Sequence, residues 1–198
     1  MTSRHKVFIS FHHANDEQYR DEFVRRYRDQ FESFVDHSVQ FGDIDENLPT
    51  ERIAQIIRDQ YLRDATVTVV LVGSETWKRK HVDWEIYSSL RSTSRNPRMG
   101  LLGILLPTYG VPYSELASAH YQMRSTTPSG SQYWSRNVPE RLWNNIDIGY
   151  ASMRPWPSSG RELQEWIHDA FQRRGQYPPP TLAGDRFGRN RSVSATHW

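Results

Sequence analysis

The chain contains no cysteine, which excludes disulfide staples and thiolate metal sites and is compatible with a reducing compartment. It also lacks any apolar run long enough to span a membrane. The start, Met1-Thr2-Ser3-Arg4-His5-Lys6, runs directly into a strand-like segment without the apolar core of a signal peptide. These absences lead us to expect a soluble, cytoplasmic protein with no membrane partner. No Gly-rich phosphate fingerprint of the GxGxxG or P-loop kind occurs, which argues against a conventional dinucleotide or nucleoside-triphosphate fold. An excess of one charge is missing too: 25 basic and 23 acidic residues give a formal net charge of +2. Beyond residue 174, Arg186, Arg189 and Arg191 against Asp185 account for that whole excess. The body is therefore near neutral and has no basic face for nucleic acid.

What is present is an alternation of strand-like and helix-like segments over 198 residues, the size of one decorated domain. Lys6-Val7-Phe8-Ile9-Ser10-Phe11 is a short β-branched and aromatic run, followed by Asn15-Asp16 as a helix cap. Phe23, Tyr27, Phe31 and Phe34 then recur at helical spacing. Residues 38–41 read as a second strand leading into an acidic loop with Asp43 and Asp45. Thr50 caps the next helix, whose buried side is Ile53, Ile56, Ile57 and Leu62. Residues 66–72 form a run that is β-branched throughout except at Leu71, as in a central strand covered on both faces. Leu101-Leu102-Gly103-Ile104-Leu105-Leu106 is a fourth strand stopped by Pro107.

Four such alternations with short connections predict a mainly parallel sheet of about five strands with helices on both faces. We expect an α/β domain over residues 1–174, with 107–157 as an irregular, aromatic-rich elaboration and a fifth strand near 145–150. Ser159-Gly160-Arg161-Glu162 has capping-box spacing and opens a last helix through Trp166, Ile167 and Phe171. Residues 175–198 are Pro-, Gly- and Arg-rich and are expected to be a disordered tail.

The most informative residue is Glu85, in the run Lys80-His81-Val82-Asp83-Trp84-Glu85-Ile86-Tyr87. Val82, Ile86 and Leu90 form one buried stripe, and position 85 falls roughly 100° to its side. That places the carboxylate on the flank, neither in the core nor fully in solvent, near the crevice at the carboxyl ends of the strands. Ser10, Phe11 and His12 end the first strand at that same edge, and Asp43 follows the second. An aromatic wall, a few polar atoms and one carboxylate suit a nucleotide-sized ligand. Phe11 or Trp84 can stack on a ring, and Ser10, His12 and Asp43 can hydrogen-bond ribose or phosphate. No metal is expected, because adjacent His12 and His13 point opposite ways on an extended chain and no third ligand is evident.

Val7-Phe8-Ile9-Ser10-Phe11-His12, the run from Thr66 to Val72 with Gly73-Ser74-Glu75-Thr76, and Val82-Asp83-Trp84-Glu85-Ile86 resemble, in order and spacing, a TIR-like family. It is the family that includes ThsB of Thoeris anti-phage defence, and the resemblance covers roughly residues 5 to 106. It implies a flavodoxin-like, three-layer TIR sandwich that cleaves the nicotinamide–ribose bond of NAD, with Glu85 at the position of the catalytic glutamate. The ADP-ribose would pass into a cyclic or conjugated signal that activates a separate effector. NAD is then the substrate, and no cofactor is implied. A phage-derived trigger and self-association are further partner expectations.

Two other readings stand beside this one. A non-catalytic TIR-like module would act by assembly alone, since fold does not fix function. A nucleoside deoxyribosyltransferase-like enzyme would use the glutamate as a nucleophile. A phosphoacceptor receiver domain is disfavoured. Its acidic pair and acceptor aspartate would fall where His12-His13 and Gly73-Ser74 stand, and the only lysines are Lys6, Lys78 and Lys80.

Overall fold

The computed structural model of the protein describes residues 4–35, 39, 43–45, 47–93, 96–109, 124–126, 132–134, 138–175 and 179–182. Strands β1 (Lys6–Ser10), β2 (Ser33–Val35), β3 (Val67–Val72) and β4 (Gly100–Leu105) join β7 (Ser152–Arg154) in one sheet. The order is β2-β1-β3-β4-β7 and every pairing is parallel. Counting only these strands, the order is 2-1-3-4-5, that of a flavodoxin-like sheet, with its switch point between the first and third strands. A separate antiparallel pair, β5 (Arg124–Thr126) and β6 (Gln132–Trp134), lies within the expected elaboration.

Helices cover both faces, as parallel strands require. On one face, α1 (His13–Tyr27) and α5 (Gly160–Arg173) pack Phe23, Tyr27, Leu163 and Ile167 onto Val7, Ile9, Val69, Leu71 and Ile104. Gly100 permits the closest approach, since a Cβ there would lie 2.2 Å from the carbonyl oxygen of Ala170. On the other face, α3 (Lys80–Leu90) and α4 (Glu140–Asp147) pack Val82, Ile86 and Leu142 against Val70, Val72 and Leu105. Beside them, α2 (Thr50–Ile56) joins Phe8, Ile53, Ile57, Trp84 and Tyr87 in a third cluster. Each large apolar side chain buried this way contributes about 1.5–3 kcal/mol.

The structure corrects several boundaries read from the sequence. The first helix starts at His13, two residues before the expected cap, and gives way to a 3₁₀ turn at Arg28–Gln30. Phe31 still packs on Phe23, but it does so from an extended backbone, and Phe34 belongs to β2. Residues 38–41 were expected to form the second strand, yet Ser33–Val35 pairs with β1 instead; of that earlier span only Val39 is described. Pro49, not Thr50, is the N-cap of α2, and α2 continues into a π turn over Ile57–Tyr61. Residues 145–147 lie in α4, and the fifth strand follows at Ser152–Arg154. Glu140 in the first turn favours that helix start.

Of the tail, Thr181 and Leu182 meet α4. Asn145 donates to the Thr181 carbonyl (2.9 Å) and accepts from its N–H (3.0 Å), while Arg141 donates to the Leu182 carbonyl (2.7 Å). Residues 183–198 lie outside the described residues, as do most of 107–137. No helix among the described residues is long and apolar enough to cross a membrane.

Candidate active site

Period-two alternation along β1 decides which of its side chains can meet the α2–α3 face. Val7, Ile9 and Phe11 join the cluster under α1 and α5, whereas Phe8 faces α2 and α3. Ser10 shares the face of Phe8 and meets Glu85. Its hydroxyl donates to Glu85 Oε2 at 2.5 Å, and the backbone N–H of Val39 donates to Oε1 at 2.7 Å. Both carboxylate oxygens are thus held at the carboxyl end of β1.

Glu85 is 1% exposed, so its expected place on a half-open flank needs correcting. Nearly all of α3 is buried, including Lys80, Trp84, Tyr87, Ser88 and Ser89 around the stripe. The helix is wedged between α2 and α4 as well as against the sheet, which seals both flanks. Burial pushes the Glu85 carboxyl up to about 8, and the hydrogen bonds from Ser10 and Val39 oppose this only in part. At neutral pH the acid is therefore largely protonated, and small changes of environment move its charge.

Beside it lies a second pair. The Tyr61 phenol is hydrogen-bonded to Asp43, and its ionisation is pushed up by burial first, then by Asp43, then by the nearby Glu85 charge. Asp43 itself is exposed. The structure thus groups Ser10, Val39, Asp43, Tyr61 and Glu85. Tyr61 closes the π turn, and its aromatic ring lies outside the strand-end motifs that sequence reasoning searched.

The other candidates stand elsewhere. Phe11 is 3% exposed and packs on the opposite face of the sheet, beside His13 (centroids 4.2 Å apart) and under the Arg20 guanidinium at 5.5 Å. Trp84 is fully buried in the α2–α3 cluster, with Lys80 Nζ 4.6 Å above its ring and His81 edge-on at 5.2 Å. Neither ring offers a substrate a free face. His12 is buried as the N-cap of α1, and its Nδ1 has no hydrogen-bond partner among the described residues. Its charged neighbours are Arg79, Glu75, His13 and Lys78 rather than Glu85, and burial with Arg79 brings its titration down to about 4.

Asp16, a cap residue in the sequence pattern, is a second buried carboxylate. Asp16 is 1% exposed, and accepts from Thr76 Oγ1 (3.4 Å) and Thr108 Oγ1 (3.3 Å), residues of the turns after β3 and β4. Gly73 leaves it room, because a Cβ there would stand 2.4 Å from Asp16 Oδ2. Burial raises its titration, and the two threonine hydroxyls and Arg79 lower it. Among the described residues no group of three or more metal-ligating side chains occurs.

A parallel sheet in 2-1-3-4-5 order, helices on both faces and a buried glutamate clasped to the end of the first strand define a flavodoxin-like sandwich of the TIR type. The family model described as "Thoeris protein ThsB, TIR-like domain" matches residues 8–109, about half of the chain, and the chain belongs to that family. The matched span runs from β1 to the turn after β4 and contains Ser10, Asp43, Tyr61 and Glu85. No curated protein matches the chain.

Proposed function

We propose that the protein cleaves the nicotinamide–ribose bond of NAD and passes the ADP-ribose into a cyclic or conjugated signal. That product would activate a separate effector in a Thoeris-type defence against phage. The observation that carries the reading is the clasp on Glu85: a buried carboxylate held through both oxygens by Ser10 and Val39, in a chain of this family.

The chemistry suits one such group. When the glycosidic C–N bond breaks, its electron pair leaves with nicotinamide, which departs neutral because the ring is already cationic in NAD. Positive charge develops on the ribose, and an anion beside it stabilises that charge where it appears. No general acid is needed at the leaving group. The cationic substrate also favours the ionised form of Glu85, bringing its titration down from about 8. Because the carboxylate is sealed, a ribose hydroxyl must take the place of one present donor, and the Val39 N–H is the one on the non-strand side. Asp43 is set to accept from the remaining ribose hydroxyls, and the Tyr61 phenol to donate to a ribose or phosphate oxygen. Phe11 and Trp84, being buried, receive no stacking role here.

The full burial of Glu85 also favours a second reading, in which the domain is a closed assembly module without turnover. Mass spectrometry of NAD incubated with the protein separates the two, in buffer and in lysate of phage-infected cells. Nicotinamide release with an ADP-ribose-derived product, lost in Glu85→Gln, is the expected outcome. Unchanged NAD in both conditions would favour assembly.

A further inference from the structure

A groove of about 890 Å³ lies between α2 with its π turn and the connection from α3 to β4, lined in part by Arg58, Arg63, Arg91, Thr93 and Asn96. Arg58 sits at its base and is 4% exposed. Its guanidinium donates to the Pro97 carbonyl and, at 3.1 Å, to the Met99 sulfur, while its Nε is buried with no partner among the described residues. A carbonyl and a thioether carry no charge, so among the described residues no ion pair neutralises this buried cation, and Asp59 acts on it only through space. Buried charges are normally paired, and an uncompensated one costs several kcal/mol.

The groove's own carboxylates do not supply the missing anion. Glu51 is ion-paired with Arg91 at 2.5 Å and accepts from Tyr87 at 3.3 Å. Asp59 accepts from Asn96 Nδ2 at 3.4 Å and reaches Arg58 only as a charge through space. Arg63, exposed at the rim, forms no ion pair among the described residues. The π turn is closed by Leu62 N–H donating to the Ile57 carbonyl at 3.1 Å. Single π turns are found frequently at functional sites.

We propose that this groove is a binding site for a phosphate-bearing small molecule, with Arg58 as the buried anchor and Arg63 as the charge at the mouth. The planar guanidinium fork matches phosphate oxygens in pairs, and the volume is that of a nucleotide-sized ligand. Thr93 and Asn96 close the rim on each other, Thr93 Oγ1 donating to the Asn96 carbonyl (3.3 Å) and accepting from its N–H (2.9 Å). The site is separate from Glu85 and does not rest on NAD cleavage.

Isothermal titration calorimetry of the full chain at constant ionic strength tests it, with sodium pyrophosphate, ADP, adenosine and citrate as probes. Pyrophosphate and ADP should bind saturably, with adenosine and citrate giving no saturable heat. Arg63→Gln, an exposed change that should not affect folding, is expected to weaken pyrophosphate about tenfold or more. Arg58→Lys should do the same where it folds, because the point charge loses the paired geometry. Glu85→Gln should leave pyrophosphate binding unchanged. Absence of saturable phosphate binding, binding indifferent to Arg63→Gln, loss in Glu85→Gln, or citrate binding as well as pyrophosphate would each overturn the proposal.

Discussion

Glu85 and Asp16 are two buried carboxylates near the carboxyl edge of one sheet, each 1% exposed and each raised in titration by burial. Their partners differ. Glu85 accepts from the last residue of β1 and from a backbone N–H at Val39, at the short distances of 2.5 and 2.7 Å. Asp16 accepts two longer bonds, of 3.4 and 3.3 Å, from threonines on the turns after β3 and β4. A carboxylate that joins three connections of a sheet works as a tie, whereas the one clasped beside Tyr61 and Asp43 is the group that the proposed chemistry uses. Burial and a raised titration are common to both, so the two differ in the identity of their neighbours.

The largest expected effect separates the pair on activity. Glu85→Gln should lower NAD turnover by at least about 100-fold, the scale for losing one group that stabilises developing charge. Its melting temperature should stay close to wild type, since the amide can accept from Val39 and donate to Ser10. Glu85→Ala should instead lose about 2–4 kcal/mol in urea unfolding, because it leaves a cavity and two stranded donors. A Gln variant that melts like the Ala variant would make Glu85 a structural residue.

Asp16 is challenged through its neighbour. Gly73→Ala places a Cβ 2.4 Å from Oδ2 and 2.6 Å from Oδ1 of Asp16, and should lose about 1–3 kcal/mol in denaturant unfolding by overpacking. The loss should shrink in the double variant with Asp16→Ala, a non-additivity that independent sites would not show.

The pH dependence sharpens the comparison next. Glu85 titrates near 8 in the fold against a reference value of 4.5, so the folded state holds a proton that the unfolded chain releases. Stability from this group is therefore lost as pH rises from about 4.5 to 8. His12 works in the opposite sense: lowered from 6.5 to about 4, it contributes stability above 6.5 that is lost as pH falls toward 4. Between pH 6.5 and 8 the Glu85 slope stands clear of His12, and Glu85→Gln should flatten it in thermal melts. If the ionised acid is the working form, kcat/KM should rise through pH 8 toward a plateau.

The smallest effect is expected at Tyr61. Tyr61→Phe should lower turnover only a few-fold and shift stability by about 1 kcal/mol, the scale of one hydrogen bond. A loss as large as that of Glu85→Gln would move Tyr61 from binding into the chemistry.

The central strands were legible because β3 is apolar apart from Thr68 and β4 holds only Gly, Leu and Ile, and both strands are buried along their whole length. Helix α3 was legible from Val82, Ile86 and Leu90. Its flanks were not, since the spacing within one helix carries no information about α2 and α4 closing on it. The second strand was misplaced because Phe31 and Phe34 continue a helical spacing after the chain has left the helix at Arg28–Gln30. At the site, Ser10, Asp43 and Glu85 were read as neighbours from strand ends alone. The Val39 contact is made by a backbone N–H, which no side-chain pattern announces. Phe11 was misread because strand alternation puts it and Ser10 on opposite faces, a rule that the sequence already contained.

The most direct test is nicotinamide release measured side by side for wild type, Glu85→Gln and Asp16→Asn, each normalised to its folded fraction and supplied with infected-cell lysate. Glu85→Gln is expected to lose nearly all release while Asp16→Asn keeps it within about fivefold, the cost of a loosened tie. Equal losses in both variants, or release that survives Glu85→Gln, would contradict that expectation.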